Sequence, residues 1–131
     1  MDEINWLDVL GWGEPQIGDL RNVAYAYIKQ GVYDVALTFL DTISAVGQLS
    51  FYDLQTMGAL HLQMGNGLQA LEMLNEALRE KPGHYLTQLN RAKALFLLGH
   101  RTQALLQVLE LENCPDKEIA SQASALVLAY R

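Results

Sequence analysis

The chain has 131 residues, half of them hydrophobic, with three prolines, ten glycines and one cysteine; this predicts a single all-α domain with a real core and excludes an internal disulfide. Its formal net charge of −6, with no Lys/Arg cluster along the chain, makes nucleic acid a poor partner, because phosphate backbones would be repelled.

The first residues, Met1-Asp2-Glu3, are acidic where a secretion signal would be basic, and no apolar run approaches the roughly 20 residues that a bilayer span requires. The expectation is a cytoplasmic chain with no membrane partner. Residues 1–16 form an N-terminal extension. Glu3 to Leu10 suit a short helix with Trp6, Leu7 and Leu10 on one side, and Gly11-Trp12-Gly13-Glu14-Pro15 breaks it. Trp6 and Trp12 have two readings: they cap the first repeat, or they anchor a second copy or a small co-chaperone.

From Ile17 the sequence recurs every 34 residues, giving segments 17–50, 51–84 and 85–118. Gly31, Gly65 and Gly99 each close a helical pattern, where a left-handed cap lets the chain reverse. Ala24, Gly58 and Ala92 fall in the first helix of each hairpin, and Ala36, Ala70 and Ala104 in the second. Small residues there allow two backbones to approach closely. Leu20, Val23, Tyr27, Leu54, Met57 and Leu95, with Leu40, Leu74 and Val108 in the second helices, supply one apolar stripe per helix. A lone hairpin cannot bury such a stripe, whereas a stacked neighbour does.

After the repeats, Asp116 is a sensible N-cap for a final helix, assigned to residues 119–131, with Ala120, Ala123, Val127 and Tyr130 on its buried side. Leu126 and Leu128 make its outer face less polar than a terminal helix needs.

No catalytic or metal-binding pattern emerges, and no cofactor is expected. His61 shares a repeat column with Tyr27 and Leu95, which marks it as packing. His84 and His100 lie in hairpin turns without a ligand partner four residues away. Cys114 has no neighbouring cation to activate it. The reading is a binding protein rather than an enzyme.

The repeat columns resemble the tetratricopeptide repeat family over residues 17–118. The middle unit matches best, through Leu54, Met57, Gly58, His61, Gly65, Ala70, Leu74, Ala77 and Pro82. Unit one has Gln48, and unit three Asp116, where the family's closing proline is expected, and unit three carries Gln88 and Arg91 at two usually apolar places. The resemblance implies three helical hairpins in a short right-handed solenoid, closed by a solvating helix. Its concave face would be lined by Arg21, Tyr25 and Ile28, then Tyr52, Gln55, Ala59 and Leu62, then Leu86, Leu89, Lys93 and Phe96. Only Arg21 and Asn90 suit the carboxylate clamp of chaperone-tail-binding relatives. Tyr25, Thr56 and Leu86 occupy its other places, so an apolar peptide or amphipathic helix is the expected ligand.

A small, acidic array of this kind is similar to the cytosolic chaperones of bacterial type III secretion. The run from Leu20 to Tyr33 looks like the first repeat of the translocator-chaperone branch, while the overall length is closer to the needle-subunit branch. This resemblance implies sequestration of a secreted protein client, a needle or translocator subunit. The competing reading is a general scaffold that joins two proteins.

Overall fold

The computed structural model describes residues 13–47 and 49–131. The expectations for a helix over Glu3 to Leu10, and for Trp6 and Trp12, lie outside the described residues. Among those described are seven helices and no strand: α1 Glu14–Lys29, α2 Tyr33–Ala45, α3 Phe51–Gln63, α4 Gly67–Glu80, α5 Tyr85–Leu97, α6 Arg101–Leu111 and α7 Lys117–Tyr130. None of them is long and apolar enough to cross a membrane. The chain is thus all-α, built of helical hairpins packed in sequence order.

The residues form two compact units, one ending at Asp53 and one comprising Leu54–Arg131. Local packing of this sort suits a repeat chain, and in the second unit α5 packs on α7 as well as on its sequence neighbours.

The 34-residue period reappears as geometry. Gly31, Gly65 and Gly99 adopt φ of +79°, +80° and +83°. In each turn the glycine N–H donates to the carbonyl three residues back, at Ile28, Leu62 and Phe96, over 3.0, 3.1 and 3.0 Å. The next N–H donates to the carbonyl five residues back, at Tyr27, His61 and Leu95, over 3.0, 2.8 and 2.9 Å. This paired arrangement satisfies carbonyls that a helix end would otherwise leave open, and it needs a residue at ease in the left-handed region. Each hairpin is therefore closed by the same device.

The packing columns agree. Ala36, Ala70 and Ala104 are fully buried, as are Leu40, Leu74 and Val108. In the first helices Ala24 and Ala92 are fully buried, and Gly58 is buried against Leu74. Leu54, Met57 and Leu95 are buried as their spacing predicts. Val23 is not. It is 39% exposed, although Met57 at the same place one repeat later is buried.

Two boundaries differ from the sequence reading. Helix α1 begins at Glu14, inside the segment read as a breaker. Pro15 falls in its first turn, where the missing N–H would have had no helical partner, and Gly13 N–H donates to Gln16 Oε1 at 2.8 Å. At the other end, Asp116 caps α7 as expected, its Oδ1 accepting from Glu118 and Ile119 N–H at 3.1 and 3.2 Å. Asp116 follows His84, the N-cap of α5, by 32 residues rather than 34, because α6 is short. Helix α7 buries Ala123 and Val127 as expected, together with Ile119. Ala120 is half-buried, and Tyr130, 40% exposed, keeps one ring face on Phe96.

The two polar intrusions of the third repeat are accommodated by hydrogen bonds. Gln88 Nε2 donates to the Pro82 carbonyl at 2.6 Å, and Arg91 Nε donates to Asn75 Oδ1 at 2.7 Å. A half-buried polar side chain costs little once it has a partner.

Candidate functional site

The residues expected to line a concave face fall in both units. Arg21, Tyr25 and Ile28 of α1 and Tyr52 of α3 belong to the first unit, and the other seven belong to the second.

In the first unit, Arg21, Tyr25 and Tyr52 come together around one cavity of about 460 Å³, which Leu49, Ser50 and Asp53 also line. Tyr25 lies one helical turn beyond Arg21 on α1, as a four-residue spacing dictates. Tyr52 projects from the first turn of α3, is 59% exposed, and meets the Phe51 ring edge-on with centroids 5.1 Å apart. Ile28, one turn past Tyr25, is half-buried and does not line this cavity.

The floor of the cavity is ionic, and Asp53 is its unexpected member. Asp53 is fully buried. Its carboxylate accepts from Arg21 Nε, with both oxygens at 3.0 Å, and from Arg21 Nη2 at 2.8 Å. It also accepts from Ser50 N–H at 3.0 Å, while Asp53 N–H donates to Ser50 Oγ at 3.2 Å. Ser50 and Asp53 thus satisfy each other's backbone donors at the start of α3, the reciprocal pattern of a capping box. The same carboxylate then holds the guanidinium of α1 in a forked geometry. The sequence carries a signal for the cap, since Ser50-Phe51-Tyr52-Asp53 has capping-box spacing, but none for the ion pair.

This pairing changes the role expected of Arg21. Its charge is matched within the chain, by a carboxylate with no exposed surface. Asn90, the other residue suited to a clamp, is buried in the second unit.

The second unit treats its seven residues unequally. Leu89 is fully buried, in the same core as Ala92, Val108, Leu111, Ile119, Ala123 and Val127, and it is not available at any surface. The reason is α7, whose apolar side joins that core. Phe96 is partly buried there and stacks on Tyr130, with centroids 4.0 Å apart and ring planes 18° from parallel. Lys93 Nζ donates to Gln122 Oε1 at 3.3 Å. Arg101 Nη2 donates to the Tyr130 carbonyl and secures the end of the same helix. The expected groove residues of the third repeat are therefore largely engaged by the chain's own last helix. Leu62 packs on the cluster of Ala70, Leu74 and Ala94, Gln55 and Ala59 are half-buried, and Leu86 is 40% exposed.

Two of the three histidines are engaged locally. His61 Nδ1 lies 3.4 Å from Asn66 Nδ2, and His84 Nδ1 accepts from Thr87 N–H at 3.3 Å as the cap of α5. No protein-family model and no curated protein sequence matches the chain.

Proposed function

We propose that this protein is a cytoplasmic, non-enzymatic chaperone of the type III secretion kind, which binds an apolar segment of a secreted needle or translocator subunit and keeps it from assembling early. The observation that carries this reading is the first-unit cavity, in which Tyr25, Tyr52 and Leu49 surround an ion pair that is already satisfied. Beside its polar lining, such a cavity offers aromatic and aliphatic surface to an incoming chain. The resemblance of residues 20–33 to the first repeat of translocator chaperones points the same way. Covering an assembly-competent apolar segment suppresses its self-association by mass action, and holding it needs no nucleotide.

Co-expression of the chain with a needle or translocator subunit tests the proposal. The expected result is a soluble complex that co-elutes in size-exclusion chromatography. A subunit that stays insoluble, or elutes separately, contradicts it.

A further inference from the structure

Leu106 and Leu109 of α6 and Leu128 of α7 are 62%, 46% and 65% exposed. For the first two, the repeat itself marks a departure. One repeat earlier their places hold Glu72 and Asn75, and one repeat before that Thr38 and Asp41. The first two hairpins are polar where the third is apolar, so the helical frame does not call for leucine there. Helix α7 continues this surface: from Ile119 to Tyr130 it contains no charged residue, and Ser121, Ala125 and Leu128 are exposed. Ser124 Oγ donates to Glu112 Oε2 at 2.9 Å, and Arg101 Nη2 donates to the Tyr130 carbonyl, so α7 runs antiparallel to α6. Leu109 lies one turn before Glu112, and Leu128 one turn beyond Ser124, which sets the two exposed leucines at one level.

We propose that this face is a self-association surface, on which α7 packs antiparallel to α7 of a second copy about a two-fold axis close to Ala125. A two-fold interface must be complementary to itself, and this one is. Glu118, Ser121, Ala125 and Leu128 are exposed and recur at intervals of three, four and three residues, the spacing of a helix–helix seam. Antiparallel pairing about Ala125 sets Ser121 of one copy opposite Leu128 of the other, small against large. The same register sets Glu118 opposite Arg131, an ion pair that the symmetry makes twice. Charge along the chain favours this end as well. Residues 54–131 carry seven acidic and seven basic side chains, so the net charge of −6 falls wholly on residues 1–53. Two copies meeting through their second units face no net repulsion, whereas their first units repel each other.

Sedimentation equilibrium of the full chain over a range of concentrations is the test. The wild-type protein should show a reversible monomer–dimer equilibrium. Leu128→Glu, at an exposed position, should keep the helical circular dichroism and weaken the dimer at least tenfold. Glu118→Arg and Arg131→Glu each turn both ion pairs into like-charge contacts, so either variant alone should dimerise about fivefold more weakly. Mixed in equal amounts, the two variants should form a heterodimer as tight as the wild-type dimer, because each supplies the charge that the other lacks. A residue that serves only the fold of its own chain gives no such recovery. The proposal is overturned by a wild-type protein that stays monomeric at every concentration. It is equally overturned by a dimer that Leu128→Glu leaves intact, as one held through Trp6 and Trp12 would be, or by a mixture no tighter than its components. Client binding at the first-unit cavity is measured separately, so neither result decides the other.

Discussion

Gly58 in α3 presses on Leu74 in α4 so closely that a Cβ built on the glycine would lie 2.6 Å from both Leu74 Cγ and Cδ2. Leu74 is fully buried and cannot swing clear. Gly58→Ala should therefore destabilise the protein by about 1–2 kcal/mol, since overpacking outweighs the roughly 1 kcal/mol that alanine gains in a helix interior. The third repeat has Ala92 and Val108 at these two places, a smaller partner opposite a larger small residue. In the Gly58→Ala background, Leu74→Val should accordingly cost less than it does alone. Chemical denaturation of the two single variants and the double variant measures that coupling.

The hairpin turns give a second expectation. Gly99 sits at φ +83° with open space around it, so the cost of Gly99→Ala is conformational alone, about 1–2 kcal/mol. Gly18, inside α1, also has open space where a Cβ would stand, but its φ is not positive. Gly18→Ala should instead stabilise the protein by about 0.5–1 kcal/mol. Opposite shifts of the thermal midpoint would bear out the assignment; equal shifts would count against it.

At the last helix, Asp116→Ala removes the acceptor of two backbone N–H groups and should cost about 1 kcal/mol. Asp116→Asn, which retains a side-chain oxygen, should recover most of that. Thermal melts of the two variants provide the comparison.

The two members of the ion pair should respond unequally. Arg21→Met strands a fully buried carboxylate and should cost about 3 kcal/mol or more. Asp53→Asn leaves a guanidinium that is 23% exposed and can turn to water, so about 2 kcal/mol is expected. Urea denaturation that ranks the variants in the reverse order would mean that the capping bonds of Asp53, rather than its pairing with Arg21, dominate its contribution.

Periodic features were legible in the sequence because period is what they encode. The glycine column fixed the turns, the alanine and leucine columns fixed the buried faces, and Asp116 was read correctly as a cap. Features that depend on partners distant in sequence were not legible. The Arg21–Asp53 pair joins positions 32 apart, and neither repeat column announces it. The burial of Leu89 depends on a core that α7 completes, and nothing in the repeat column of Leu89 tells of that helix. Val23 fits the stripe of its repeat but is left 39% exposed on the first helix described. Leu62, read as a groove residue, is half-engaged in packing, so it is a poor choice for separating binding from folding.

The central claim is that Tyr25 and Tyr52 hold a client segment at the first-unit cavity. The most direct measurement is a calorimetric titration of the apolar segment of a co-eluting secreted subunit into the wild-type protein and into Tyr25→Ala/Tyr52→Ala. Tyr52 is largely exposed, and both rings face a cavity, so the helical circular dichroism should be unchanged. Loss of two aromatic anchors should weaken binding by about 30-fold or more. Equal affinity for the two proteins would contradict the account.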